Sequence, residues 1–289
     1  SMQMPAPAPM ARCGNVQNDM VTDKEYKKTE REEKEYMALG EKYVSTMSEM
    51  KANGVYSAIE GLAKRSSFSS HCNDTATAAQ AENMKKILME IRKELPRNLH
   101  TSINGAMFVR FDAQNPRFLQ ALLTGIDDTP YENGLFLFDI YLNDNYPVQP
   151  LDIKHVSYGA TKCHANNGPG GFSPNLHQST GKVCLSLLGT WSGPGWENGK
   201  SNVYQVLSTI LFMIYGADHP YYMEPSYGGW EGTVIGKKQH ERRVIEYDEE
   251  VMYHNLKYSQ LEALRNPYAG FESVINLHFK LKGEWMKKT

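Results

Sequence analysis

An α+β fold is predicted: a four-stranded antiparallel meander packed with helices on one face, with helical extensions at both ends. Three observations predict it. Apolar residues recur every three or four positions over 22–60 and 76–94, alternate from 107 to 158, and return to the helical period after 202. The connections between the four strand candidates are short and turn-rich, which suits antiparallel neighbours and not the crossovers that parallel pairs need. No internal repeat is found, so one core with extensions accounts for the order of elements.

Residues 1–21 are rich in Pro, Ala, Asn and Gln and are expected to be a disordered tail; Ser1-Met2 reads as a tag-cleavage scar, so the ends are not taken as natural. Over 22–60, Tyr36, Leu39, Tyr43, Met47 and Met50 make the apolar stripe of one amphipathic helix, with alternating charges four residues apart and Gly54 as a stop. RSSFSSHCNDT, 65–75, reads as a linker. A second helix spans 76–94, capped by Thr75 or Thr77, with Ile87, Leu88, Ile91 and Leu95 as its stripe and Pro96 as its end. MFVRFD (107–112), FLQALLTG (118–125), LFLFDIYL (135–142) and LDIKHVSY (151–158) are the strands. From 159 to 200 periodicity stops and glycine, proline and asparagine crowd the chain, the mark of a functional or disordered stretch. An apolar helix over 202–216, a charged helix over 240–264 and a last helix over 268–284, separated by Asn266-Pro267, complete the chain.

Composition narrows the function. Of the 289 residues 40% are hydrophobic and 22% charged, as in soluble globular proteins. A formal net charge of −2 with no basic stripe argues against nucleic-acid binding, and the absence of an apolar run of about eighteen residues argues against a membrane span. Cys13, Cys72, Cys163 and Cys184 are widely spaced with no signal peptide before them, which suits free thiols in a reducing compartment.

The irregular stretch carries the chemistry. Cys184 follows Gly181-Lys182, lies nine residues after Asn175, and precedes the loop GTWSGPGW. Between Val183 and Leu185 it reads either as a small buried hydrophobe or as a thiol at the rim of a cleft. Thiol–thioester exchange requires little more than an accessible thiolate, and attack of an amine on the new thioester builds charge on a carbonyl oxygen that an amide can stabilise. Asn175 is the candidate donor; its other reading is a side chain that closes its own turn after Pro174. Zinc held by Cys163, His164, His177 and Cys184 has suitable ligand types but no Cys-x-x-Cys pair. A thiol hydrolase with His177 as base lacks an orienting residue, and GPGG at 168–171 lacks the strand–loop–helix context of a phosphate loop.

In order, TPYENGLFLFDIYLNDNYPVQP, FSPNL, GKVCLSLLGTW and HPYYMEP resemble the strand and proline-rich turn, the His-Pro-Asn segment, the active-site cysteine segment and the following acid-bearing loop of the ubiquitin-conjugating enzymes. CLSLLGTW and LEALRNPYAGFESVINLHFKLKG, 261–283, resemble the very large members that also act as ligases. The resemblance covers about residues 80–284 and implies a ubiquitin-conjugating-enzyme-like core over 76–235 followed by a C-terminal helical extension over 236–289; it does not explain residues 1–70, so the helical extension and linker over 22–75 rest on their own pattern. It implies that Cys184 accepts ubiquitin as a thioester from the activating enzyme, that Asn175 stabilises the oxyanion during transfer to substrate lysine, and that Glu224, beside Pro225, orients the incoming amine, with His219 as a second base candidate. It implies no cofactor, ATP being used by the activating enzyme, and a cytoplasmic protein found also in the nucleus. The loops marked by Val148 and Pro194 correspond to family surfaces that meet ligases and the activating enzyme. Ser173 replaces the usual histidine, and SGPGWENGK departs from the usual Ser-Pro-Ala pattern, which puts ordinary ligase partners in doubt. A catalytically silent binding or scaffold domain of the same fold is the rival implication.

Overall fold

The computed structural model describes residues 23–49, 55–72, 78–160 and 171–287. The chain forms two units, one ending at Ala38 and one beginning at Leu39. Helix α1 (Asp23–Glu49) begins in the first, where Arg31–Glu35 at 2.9 Å and Lys34–Glu30 at 3.2 Å pair four residues apart on exposed surface. Such pairs add only a few tenths of a kcal/mol each. In the second unit, Tyr43 and Met47 of α1 are fully buried, and the Tyr43 hydroxyl lies 2.9 Å from Nδ1 of His278.

The single helix expected over 22–60 is two elements. After α1 the chain forms strand β1 (Tyr56–Ile59), which pairs in parallel with β2 (Met107–Asp112) in register Tyr56↔Val109 to Ile59↔Asp112. The sheet is therefore mixed and five-stranded: β1 and β2, then β3 (Phe118–Thr124), β4 (Leu135–Tyr141) and β5 (Asp152–His155), in sequence order. The antiparallel meander β2 to β5 stands as expected, with one edge strand added.

The expected linker includes a helical turn, Leu62–Arg65, and a 3-10 turn, Ser69–His71; residues 73–77, with the expected caps Thr75 and Thr77, lie outside the described residues, as do Met50 and Gly54. Helix α2 runs over 78–98 and does not stop at Pro96. A π turn at Glu90–Glu94 precedes the proline. Its wider winding moves the carbonyl that a proline ring would strike in an α-helix, so one more turn, Leu95–Asn98, follows.

Both faces of the sheet are buried, where one was expected. β3 and β4 are buried at every position, which is why they read as nearly continuous apolar runs. One face, with Leu119, Ala121, Leu123, Phe136, Phe138 and Ile140, shares the main core with α2 and with α3 over 203–214. The opposite face carries a polar row set by register, Arg110↔Gln120↔Asp139↔Lys154. Its members are satisfied: Gln120 donates to Asp139 at 2.7 Å, and Asp139 accepts the Ser67 N–H at 2.6 Å. Lys154 lies over the Phe68 ring, and Arg110 lies over Phe271 and donates to the Gly270 carbonyl at 2.7 Å.

The C-terminal extension is bound to the core. Helix α4 over 234–265 starts earlier than expected and places Val244, Tyr247 and Val251 in the main core, while Asn255 donates to the Pro130 and Glu132 carbonyls. Helix α5 (Glu272–Met286) buries Val274 and Ile275 and sends Lys282, 1% exposed, to Asp127 at 2.7 Å. No helix among the described residues is long and apolar enough to cross a membrane.

Candidate functional site

After β5 and the undescribed residues 161–170, the chain folds back on the sheet edge. The His155 N–H donates to Gly181 O at 2.8 Å, and isolated bridges join Lys154 to Lys182 and Leu176 to Val183. Gly181 makes this approach possible. Its φ is +68°, and a Cβ there would stand 2.4 Å from the His155 carbonyl oxygen. The turn before it is closed by Gly181 N–H to His177 O at 2.8 Å, and Nδ1 of His177 lies within 3.2 Å of the Ser179 and Thr180 hydroxyls. The His177 ring thus serves its own turn, which leaves the hydrolase reading without a base poised on Cys184.

From Val183 the chain is extended, and burial alternates. Val183 and Leu185 are each 2% exposed and enter the core, while Cys184 between them faces the other way, half-buried with a free thiol. It is not a core residue. Both of its backbone groups are held by Asn175: the Cys184 N–H donates to the Asn175 carbonyl at 2.8 Å, and Asn175 Nδ2 donates to the Cys184 carbonyl at 2.8 Å. The thiol is therefore presented from a backbone fixed on both sides. The short 3-10 turn Ser186–Leu188 and the Thr190 hydroxyl, which accepts the Leu185 N–H at 3.0 Å, fix the segment beyond it.

Asn175 is 3% exposed, and its Oδ1 has no partner among the described residues. Its N–H donates to the Ser173 hydroxyl at 3.2 Å. Ser173, which replaces the family's histidine, is wholly buried, and beneath this turn the Tyr131 hydroxyl donates to the Phe172 carbonyl at 2.5 Å. The small Ser173 hydroxyl thus braces this turn from inside.

Glu224 lies in another loop. It follows the 3-10 turn Pro220–Met223, is half-buried, and its carbonyl accepts the N–H groups of Tyr227 and Gly228. No hydrogen bond or ion pair among the described residues joins it to Cys184 or Asn175. His219 is held by α4, with Nδ1 2.6 Å from Asp248 Oδ2. Burial raises the Asp248 carboxyl above its ordinary pKa, and His219 partly offsets this. The zinc set cannot be assembled from the described residues: Cys163 and His164 lie outside them, and no cluster of metal-ligating residues is present among them.

The loops marked by Val148 and Pro194 are brought together. Both residues are exposed, and between them the Trp196 indole N–H donates to the Pro147 carbonyl at 2.9 Å while its ring packs on Tyr146. Glu90 of α2 fastens this pair to the helices. Its carboxylate accepts the Tyr146 hydroxyl at 2.6 Å and the Val203 N–H that opens α3 at 2.9 Å. Burial raises the Glu90 pKa; these two donors pull it back. The sequence reading missed Glu90, Trp196 and Asp248, and no local pattern marks partners up to 113 residues apart.

Known proteins resemble this chain over most of its length. The family profile described as ubiquitin-conjugating enzyme matches residues 83–240. The human dual E2 ubiquitin-conjugating enzyme/E3 ubiquitin-protein ligase BIRC6 is 34% identical over 215 residues, 73% of this chain and 4% of the relative. A probable ubiquitin-conjugating enzyme E2 of Acanthamoeba polyphaga mimivirus, R521, is 32% identical over 71% of this chain and 14% of its own. The Caenorhabditis elegans probable ubiquitin-conjugating enzyme protein 17 is 34% identical over 76% of this chain and 28% of its own. The chain thus spans less than a third of the length of each of these relatives.

Proposed function

The chain belongs to the ubiquitin-conjugating enzyme family, and from that premise we propose that Cys184 accepts ubiquitin as a thioester from the activating enzyme and passes it to substrate lysine. The observation that carries this reading is the presentation of Cys184: a half-exposed free thiol between two core residues, with both backbone groups bonded to Asn175. In the first step the Cys184 thiolate attacks the incoming thioester carbonyl and displaces the activating enzyme's thiolate, an exchange between bonds of similar energy. In the second, a lysine amine attacks, the carbonyl oxygen gains negative charge, and collapse of this intermediate breaks the C–S bond, releasing the Cys184 thiolate as the amide forms. Asn175 Nδ2 carries two N–H groups, one of which the Cys184 carbonyl occupies. The second is the donor for the oxyanion. Glu224 orients the amine or takes its proton through direct or one-water contact. The loop pair around Val148 and Pro194, made one surface by Trp196, receives the activating enzyme or a ligase.

BIRC6 is described as both conjugating enzyme and ligase. Ligase character in this chain's protein would follow if its own flanking segments hold the substrate. Incubation with activating enzyme, ubiquitin and ATP, followed by a non-reducing gel, tests the carrier reading. A thiol-sensitive adduct is expected, absent in Cys184→Ala. A folded protein that forms no adduct beside an active control is a silent fold-mate, and the carrier reading falls.

A further inference from the structure

A hollow of about 590 Å³ opens between the turn Pro220–Met223, residues 231–233 and the first turns of α4. Its size lies within the roughly 300–1,000 Å³ of sites that hold a ligand. The lining is apolar at its base, where Val244 belongs to the core, Ile245 is half exposed and the Tyr222 ring forms a wall. The opening is acidic: Glu231 and Glu241 line it and are exposed. Burial raises the Tyr222 hydroxyl pKa, and Glu231, Asp248 and Glu241 raise it further, so three carboxylates bear on that ring. His219 also lines the hollow, and its Nδ1 already lies 2.6 Å from Asp248 Oδ2. Arg242 of α4 is engaged elsewhere, with Glu246 at 2.7 Å. Tyr222 lies two residues before Glu224, so the hollow opens beside the carboxylate proposed above to meet the acceptor amine.

We propose that this hollow is a substrate subsite that takes a lysine or arginine side chain, with an aliphatic neighbour, from the segment flanking the acceptor lysine. The cation sits against Tyr222 with its charge toward Glu231 and Glu241, its methylene stem lies on Val244, and the aliphatic neighbour covers Ile245. The term substrate rests on the reading of Cys184 as ubiquitin carrier; the binding does not.

Fluorescence anisotropy on the uncharged protein tests it, with one labelled peptide carrying arginine beside leucine and a second with glutamate in place of the arginine. The basic peptide is expected to bind about tenfold tighter and to weaken several-fold as salt rises from about 50 to 300 mM. Glu231→Gln combined with Glu241→Gln is expected to lose about tenfold in affinity for the basic peptide, and Ile245→Ser about threefold. Thermal unfolding verifies that each variant is folded. Equal binding of the two peptides, or equal affinity of wild type and the double variant, overturns the proposal. A concentration-dependent dimer that the double variant abolishes, with no peptide preference, also overturns it by making a second copy the occupant. Neither ubiquitin nor activating enzyme is present, so a negative result refutes the subsite while the charging gel judges Cys184 separately.

Discussion

Asn175→Ala separates the two jobs that one side chain is assigned. Truncation removes the 2.8 Å bond from Nδ2 to the Cys184 carbonyl but leaves the backbone bond from the Cys184 N–H to the Asn175 carbonyl, also 2.8 Å. Leaving that carbonyl without its donor should destabilise the fold by about 1–3 kcal/mol. Loss of an oxyanion donor is larger in its kinetic effect, about 3 kcal/mol or roughly a hundredfold in the rate of aminolysis. Thioester charging needs the free, half-buried thiol on a segment still pinned on one side, so it should fall by less than about tenfold. The assay is single-turnover: charge with ubiquitin, quench the activating enzyme, add lysine, and follow loss of the adduct, with urea unfolding of both proteins alongside. Charging and discharge reduced by the same factor would reduce Asn175 to a turn anchor, and an undiminished discharge rate would refute the oxyanion role outright.

The remaining expectations concern the frame that holds the site. Burial lowers the pKa of His155 and His278 to about 3, with Lys282 adding to the effect at His278, so both stay neutral in the fold while the unfolded chain takes up protons near pH 6.5. Their contribution is complete above pH 6.5 and is lost as pH falls from there toward 3. Between pH 7.5 and 5 each should remove about 2 kcal/mol, measured by urea unfolding, and a stability that holds level or rises would refute it. Lys282→Ala takes away one partner of Asp127, which is itself 15% exposed, and the donor to the Ile103 carbonyl; a loss of about 3 kcal/mol is expected by urea unfolding, and less than about 1 would mean the α5 contact is held by packing alone. Gly181→Ala must place its Cβ 2.4 Å from the His155 carbonyl at φ +68°. It should destabilise by about 2 kcal/mol or more and slow charging of Cys184 by displacing 181–184 from the β5 edge; normal stability and charging together would contradict this.

Strands β2, β3 and β4 lie within one residue of their expected limits because alternation and apolar runs are local properties. β1 has no such signature. YSAI is four residues long and follows a charged helix, and its pairing partner lies some fifty residues on in β2, so only the assembled sheet edge selects it as a strand. Pro96 was read as a stop because proline disrupts α-helical geometry, and a π turn beforehand removes the clash that the rule assumes. At the site, Cys184 and Asn175 were legible as residue types in a turn-rich stretch, but whether the thiol is buried was not. Val183, Cys184 and Leu185 look alike in hydrophobicity, and only their alternation against a particular core turns Cys184 outward.

By itself, the sequence determined the family, the meander, and which cysteine lies among turn formers with an asparagine nine residues before it, because all of these are carried by residue identity and spacing. Tertiary structure alone decided the rest. It returned Asn175 onto both backbone groups of Cys184, tied Glu90 to Tyr146 and to Val203, and gathered Tyr222, Glu231 and Glu241 into the lining of one hollow. Hydrogen bonds and charges act over a few ångströms of space, whatever the distance along the chain.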